Sequence, residues 1–415
     1  MSEGAAPAEN SPKAKAKAED SPYTLLVVDD NEDNRYTLSR RLKREGYAKL
    51  ETAENGKLAL ELIRARKVDL ILLDIMMPEM NGYEVLEQMK ADAELRHIPV
   101  IMISAVDEID SVVRCIELGA DDYLAKPFNP TLLRARVGAC LEKKRMRDDI
   151  IRHVKRMERD LEAARDIQLS MVPVDFPVAS GEQPLDVYAT LQPAYEVGGD
   201  FYDFFWLASD RLCVMVADVS DKGATAALHM ARAKASIRFL CGREASGYMP
   251  NAAELMEAID RELSRDNPHA MFITMLLALV DTRTGNMEWC NAGHNPPYIV
   301  SADGTVTPLG GECGIPVGID PKFFRDPEST QLPPGASLFL YTDGVTEAMN
   351  AQKDLYGNER LEAALRECAN QGPREVIEKI LLSVREFAAG AVVSDDITLL
   401  VCRRTGNRPA HLFAV

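Results

Sequence analysis

Acidic residues recur at the ends of short apolar runs in this chain, a placement that could do phosphoryl chemistry. Asp29 and Asp30 follow the run at 25–28, Asp74 follows 70–73, Ser104 follows 100–103, and Lys126 follows a further short run just before Pro127. If these runs are parallel strands of an open α/β sheet, the residues at their carboxyl ends line one crevice. Three carboxylates there repel one another unless a cation sits among them. A hard divalent ion such as Mg²⁺ suits oxygen ligands and tolerates waters and phosphate oxygens beside them. Asp74 could then attack a phosphoryl group to give an acyl phosphate. Lys126 would balance the phosphoryl charge, and the Ser104 hydroxyl would hydrogen-bond a phosphoryl oxygen.

A second set of acids lies further on. It comprises Gly198-Gly199-Asp200-Phe201-Tyr202-Asp203, Ala217-Asp218-Val219-Ser220-Asp221-Lys222-Gly223, Tyr341-Thr342-Asp343-Gly344 and Ser394-Asp395-Asp396-Ile397-Thr398. An isolated Asp-Gly is usually a plain turn. Each of these words, however, flanks an apolar run expected to be buried, and a buried carboxylate cluster without neutralisation is costly. Two divalent cations about 3.5–4 Å apart, with hydroxide between them, are a standard solution for phosphate-ester hydrolysis. An all-oxygen donor set favours Mg²⁺ or Mn²⁺ over Zn²⁺ or Cu²⁺.

The elements around these residues fall into three patterns. In the first, apolar runs at 25–28, 70–73 and 100–103, with a weaker one at 50–53, alternate with amphipathic stretches at 33–45, 56–66, 83–90 and 108–118. That is the signature of a parallel sheet covered on both faces. In the second, residues 141–171 are rich in charge and place Ile150, Val154, Met157, Leu161 and Ala164 at spacings of four and three. Such a seam fits a coiled coil, or a single amphipathic helix lying on a neighbouring domain. In the third, strand-like runs at 187–191, 212–217, 272–280, 337–341 and 397–402 and helical patterns at 224–240, 252–263, 359–368 and 374–387 give an α+β region. Its consecutive strands favour antiparallel pairing. No internal repeat is present.

The words Val27-Val28-Asp29-Asp30, Leu73-Asp74-Ile75-Met76-Met77-Pro78 and Lys126-Pro127-Phe128 resemble the receiver domain of bacterial response regulators, over about residues 23–140. The resemblance implies a flavodoxin-like fold with a five-stranded parallel sheet and Mg²⁺ held by Asp29, Asp30 and Asp74. It also implies phosphorylation of Asp74 by a sensor histidine kinase or phosphotransfer protein, and a cis Lys126-Pro127 peptide. Ser104 stands where the family has Thr or Ser, and Tyr123 matches the aromatic that moves inward on phosphorylation.

The second set of words, in this order, resembles the metal-dependent protein phosphatases (the PPM family) in their SpoIIE-like branch, over roughly 160–403. Asn291-Ala292-Gly293-His294-Asn295-Pro296-Pro297, Gly314-Ile315-Pro316-Val317-Gly318 and the entry word Ala163-Ala164-Arg165-Asp166-Ile167-Gln168 extend the likeness. It implies a central β-sandwich flanked by helices, and phosphoserine or phosphothreonine hydrolysis with two Mn²⁺ or Mg²⁺ ions. By position, Asp218 would bridge both metals. Asp200 and the Val219 carbonyl would complete one site, and Asp343 and Asp395 the other. Asp203 and Asp396 lie close enough in sequence to act through water or behind the ligands. Asp221 stands where many relatives carry Gly, so a solvent-facing turn is expected there. For His294 a structural hydrogen bond is preferred to a role in proton transfer. Gly198-Gly199-Asp200-Phe201 also resembles a diguanylate cyclase word, but the Glu is missing and the other words have no place in that fold.

Composition narrows the function classes. The chain has 415 residues with 65 acidic and 48 basic side chains, a formal charge of −17. That balance argues against nucleic acid or an anionic membrane as partner, and no basic recognition helix for DNA stands out. No apolar run reaches the roughly 20 residues of a bilayer span. Eight cysteines without a C-x-x-C pair fit reduced thiols in a cytoplasmic protein. The expected plan is a tail at 1–21, a receiver at 22–140, a helical linker at 141–171 that pairs two copies into a homodimer, a phosphatase domain at 172–404 and a tail at 405–415. The expected activity is receiver-controlled dephosphorylation of a phosphoprotein. By family likeness alone, that substrate is an anti-sigma-factor antagonist in a partner-switching pathway. The alternative is an adaptor whose phosphatase-like domain binds a partner without turnover.

Overall fold

The computed structural model describes residues 21–104, 109–178, 184–241, 250–310, 313–320, 326–391 and 393–405. The first twenty residues and the last ten, which hold nearly all of the two expected tails, lie outside that description, as does the start of the helix expected from Glu108. The chain divides into two compact units, Met1–Arg156 and Met157–Val415.

In chain order the first unit runs β1 (Thr24–Val28), α1 (Glu32–Arg44), β2 (Lys49–Ala53), α2 (Gly56–Ala65), β3 (Leu70–Asp74), α3 (Gly82–Ala91), β4 (Val100–Ser104), α4 (Ile109–Glu117), β5 (Asp122–Ala125) and α5 (Pro130–Met171). All strand pairs are parallel, in the order β2-β1-β3-β4-β5. The strands are apolar throughout because both faces are covered. Leu26, Val28, Ile71 and Leu73 pack with residues of α2 and α3, while Leu25, Val27, Leu70 and Leu72 pack with residues of α1 and α5. Strand β2 reads weakly in the sequence because it is an edge strand whose residues are mostly part-exposed.

Local chemistry sets the helix starts next to the acids. The Asn31 side chain caps α1 by accepting from the Asp33 and Asn34 amides, so the helix begins directly behind Asp29 and Asp30. Asn81 and Glu84 form a capping box at α3. Gly82 has no substitute there, since a Cβ would lie 2.2 Å from the Asp74 carbonyl oxygen. Helix α5 is a single element of 42 residues that carries through position 140 and takes in the whole of the expected linker. Its first turns bury Leu133, Val137, Cys140 and Leu141, whereas Ile150, Val154 and Met157 are exposed.

The second unit continues with β6 (Leu185–Gln192), β7 (Phe201–Ala208), β8 (Arg211–Val219), α6 (Ala224–Cys241), α7 (Ala252–Ser264), β9 (Ile273–Asp281), β10 (Asn286–Ala292), β11 (Tyr298–Val300), β12 (Val306–Pro308), β13 (Glu328–Gln331), β14 (Ser337–Tyr341), α8 (Gly357–Glu367), α9 (Pro373–Ala388) and β15 (Ile397–Arg404). Two antiparallel sheets result, β13-β10-β9-β8-β7 and β12-β11-β14-β15-β6. The period-2 alternation of a strand builds the layers. Leu338, Leu340, Leu400 and Cys402 face the core shared with the other sheet, α6 and α7, while Phe339, Tyr341, Leu399 and Val401 face α8 and α9. This is the expected sandwich between helices. Strands β10 to β13 were not expected from their residues. Strand β10 interrupts its apolar pattern with Asn286, Glu288 and Asn291, and β11 to β13 have only three or four residues each.

Candidate functional site

Two acidic pockets form, one in each unit. In the first, β1, β3, β4 and β5 deliver Asp29, Asp74, Ser104 and Lys126 to the carboxyl edge of the sheet, as expected of an open α/β fold. Asp29, Asp30 and Asp74 bring one oxygen each within 4.8 Å of one another. Lys126 Nζ lies 2.9 Å from both Asp29 Oδ2 and Asp74 Oδ2. Asp29 is held in place because its Oδ1 accepts from the Asn31 amide at 3.0 Å and from Asn34 Nδ2 at 3.1 Å. Burial raises the Asp74 carboxyl pKa; the Lys126 ammonium opposes the rise, and Asp29 and Asp30 add to it. Burial would lower the Lys126 pKa, but its hydrogen bonds to Asp74 and Asp29 outweigh this and raise it. The Lys126 amide donates to the Ser104 carbonyl, the Lys126-Pro127 peptide is cis, and Tyr123 is half-buried with Arg136 over its ring. An all-oxygen set with two buried acids, Asp29 and Asp74, and the exposed Asp30 beside them fits a hard divalent cation that keeps waters on its open side.

In the second unit the acids collect where the ends of β7, β8, β14 and β15 meet at one edge of the two sheets. Asp200 precedes β7, Asp218 lies near the end of β8, Asp343 follows β14 and Asp395 precedes β15. The sheets are stitched there, because Asp200 Oδ2 accepts from Thr342 Oγ1 and Thr398 Oγ1, each at 2.7 Å. Burial, then Asp218 and Asp396, push the Asp200 pKa well up, against the two hydroxyls. Burial and Asp343 push Asp218 up to about 7, with Asp395 and Asp396 adding and a hydrogen bond with Asp200 opposing. Asp343 is raised by burial and then by Asp395 and Glu347. Carboxyls that raise one another's pKa in this way call for cations among them, and the donors are again all oxygen. Among the described residues no three ligand atoms of this set come within 4.8 Å of one another, so the acids form a wider array than the first pocket.

The remaining acids fall to other tasks. Asp396 accepts from the Ala194 amide at 2.7 Å and the Gly199 amide at 2.9 Å, and so holds the loop that leads to Asp200. Asp203 turns to α6, where it pairs with Lys234 and Arg238. Asp221 sits at φ 77° in an exposed turn, a left-handed position that explains why glycine suits it. Both His294 ring nitrogens are occupied, Nδ1 2.9 Å from Thr274 Oγ1 and Nε2 3.0 Å from the Tyr341 carbonyl. The ring therefore ties its loop to the strand that leads to Asp343.

That histidine makes a pH prediction. Burial lowers its pKa from 6.5 to about 4, against the hydrogen bond to Tyr341. Between those values the unfolded chain binds a proton that the folded ring does not, so the ring's contribution to stability is whole above pH 6.5 and lost by about pH 4. The expected loss is about 3 kcal/mol. The difference in unfolding free energy between the wild-type second unit and His294→Gln should shrink over that window on acidification; a constant difference would contradict it.

Sequence reasoning assigned no role to Gln168, Thr342 or Thr398, although each lies inside a word it singled out. Gln168 is buried near the end of α5, donates from Nε2 to the Gly198 carbonyl at 2.6 Å and accepts from the Gly198 amide at 3.2 Å. The last turn of the long helix is thereby bonded two residues from Asp200. Gln168→Leu leaves both backbone groups unpaired, and a loss of about 2 kcal/mol or more is expected. A lower thermal midpoint for the second unit checks this; an unchanged one contradicts it.

A doubly covered parallel sheet with three acids and a lysine at its carboxyl edge, followed by a sandwich with aspartates at one edge, defines a chain of receiver and PP2C folds. The family model for the response regulator receiver domain matches residues 25–138, and that for stage II sporulation protein E (SpoIIE) matches 208–405. The response regulator MprA of Mycolicibacterium vanbaalenii is 34% identical over 169 residues, which cover 41% of this chain and 68% of that protein. Protein IcfG of Synechocystis sp. is 30% identical over 274 residues, 60% of this chain and 42% of IcfG. The SiaA-PP2C domain of Pseudomonas aeruginosa shares the fold, with a TM-score of 0.52 at 24% identity over 60% of this chain and 98% of that domain. The chain belongs to the response-regulator family, with a C-terminal domain of the SpoIIE (PPM) phosphatase family. It spans less than half the length of several curated relatives that it matches. No helix among the described residues is long and apolar enough to cross a membrane.

Proposed function

We propose that the chain is a cytoplasmic response regulator in which phosphorylation of Asp74 governs a divalent-metal-dependent phosphoserine/phosphothreonine protein phosphatase. The observation that carries this reading is the set of Asp200, Asp218 and Asp343 carboxyls, raised by burial and by neighbouring acids, at one edge of a SpoIIE-family domain. Asp218 would bridge two Mn²⁺ or Mg²⁺ ions, with Asp200 and the Val219 carbonyl on one and Asp343 and Asp395 on the other. When bound, such ions draw charge from the phosphoryl oxygens and make water a nucleophile at neutral pH. The chain's own residues orient these ligands. Thr342 and Thr398 hold one Asp200 oxygen, Asp396 fixes the preceding loop, and His294 anchors the approach to Asp343.

In the receiver, Asp29, Asp30 and Asp74 would hold Mg²⁺, a histidine kinase or phosphotransfer protein would supply the phosphoryl group, and Lys126, Ser104 and Tyr123 would report its arrival. The exposed Ile150, Val154 and Met157 on α5 support pairing of two copies through that helix. The substrate class that fits the family is a phosphoserine anti-sigma-factor antagonist in a partner-switching pathway. The test is hydrolysis of p-nitrophenyl phosphate and of a phosphoserine protein with Mn²⁺ or Mg²⁺, with and without beryllofluoride. Metal-dependent turnover that shifts with beryllofluoride is expected. Its absence on both substrates would favour a binding adaptor.

A further inference from the structure

Lys222 is the only cation among the described residues that line the cavity at the acidic edge of the sandwich, where the acids are Asp218, Asp221, Asp395 and Asp396. It lies in the turn between β8 and α6. The residues on both sides of it, Asp221 at φ 77° and Gly223 at φ 71°, have left-handed backbone. The turn sends the side chain from the edge of one sheet to the edge of the other. There Nζ lies 2.9 Å from Asp395 Oδ2 and 2.8 Å from the Ser394 carbonyl. The side chain remains 51% exposed, so it can leave without opening the core.

An ammonium on Asp395 is at odds with a metal on Asp395. It takes up the Oδ2 oxygen at 2.9 Å, and a cation bound to the same oxygen would sit within a few ångströms of the ammonium and be repelled by it. The other oxygen, Oδ1, already accepts from the Asp396 amide at 3.0 Å, so a divalent ion at Asp395 competes with Lys222 for Oδ2. Once released, the ammonium stands at the mouth of a cavity whose other charged side chains are acids. A phosphoserine brings a charge of about −1.5 to −2 to such a mouth and needs a cation to meet it.

We propose that Lys222 is a placeholder cation that neutralises Asp395 in the metal-free protein, is displaced by the divalent ion, and then pairs with the phosphoryl group of the substrate. The proposal rests on the reading of Asp395 as a metal ligand. The two roles pull in opposite directions when the charge is removed, which separates this proposal from an ordinary surface ion pair.

The experiment uses the full chain, with Mn²⁺ binding followed by calorimetry and p-nitrophenyl phosphate as the steady-state probe. Lys222→Gln is expected to bind Mn²⁺ about two- to fivefold more tightly while its KM rises by about threefold or more. Lys222→Arg should restore both values. Arg211→Gln, at the far end of β8 and roughly 27 Å away along the strand, should change neither. Unchanged or weaker Mn²⁺ binding in Lys222→Gln, or an unchanged KM, overturns the proposal. Asp395→Asn separates the two levels: if it leaves Mn²⁺ binding intact, the metal assignment itself is wrong and the Lys222 proposal falls with it. If it weakens Mn²⁺ while Lys222→Gln has no effect, only the Lys222 proposal falls.

Discussion

Asp218→Asn is expected to lower metal-dependent phosphoester hydrolysis by about a hundred- to a thousandfold, the scale on which removal of a preorganised charge-stabilising group acts. The position is singular. Asp218 is the acid on which Asp200, Asp343, Asp395 and Asp396 all act, so it is placed to be shared between two cations. Amide nitrogen is a poor ligand for a hard ion, and asparagine carries no charge to offset one. The same substitution has a second consequence of opposite sign. In the metal-free protein, ionising Asp218 is disfavoured up to about pH 7. Its folded pKa is raised, so the penalty is absent below the ordinary carboxylate range and complete above pH 7. The metal-free variant should therefore unfold at a higher temperature than metal-free wild type at pH 8, while Mn²⁺ raises the midpoint of the wild type and not of the variant. Turnover retained in Asp218→Asn, or equal stabilisation of both proteins by Mn²⁺, would contradict the metal assignment.

Asp74→Ala is expected to erase the effect of acetyl phosphate or beryllofluoride on the phosphatase. In the wild type that effect should be about 5- to 150-fold in either direction, the usual range of coupling between two sites. Asp74 is the acid at the end of β3 that shares Lys126 with Asp29. A phosphoryl group on Asp74 would compete for that ammonium and rearrange the bonds at the ends of β4 and β5. Without the carboxylate there is no acceptor. Measurement of turnover with and without the phosphodonor in both proteins decides the matter, and a response that persists in the variant would disconnect Asp74 from control. Gln168 bonds the last turn of α5 to both polar groups of Gly198, so a shift of that helix would be felt beside Asp200.

Much of this was legible in the residues. The parallel sheet could be read because a strand buried on both faces is apolar at every position, as in Leu70-Ile71-Leu72-Leu73. Its acids could be read because topology alone brings strand ends to one crevice. The four helices of the second unit could be read from their amphipathic period. Strand β10 could not, because Asn286 and Glu288 interrupt its apolar pattern at exposed and part-exposed positions, while Met287, Trp289 and Cys290 pack into the core. Asp203 looked like Asp200 in sequence. Asp203 lies three residues on, within β7, and only α6 supplied the Lys234 and Arg238 that claim it.

The chain order therefore carried the two folds and the acidic words at the ends of their strands, since runs and turns follow from residue type and from period along the chain. Tertiary structure decided which acids act on one another and which hold loops. It also decided that Thr342 and Thr398 reach Asp200 across the sandwich, that His294 is neutral and fully bonded, and that Lys222 rests on Asp395. The physical reason is distance in sequence. Asp200 lies 142 residues from Thr342 and 198 from Thr398. The pKa values and partners at such a site are set by burial and by charges a few ångströms away, neither of which any local pattern encodes.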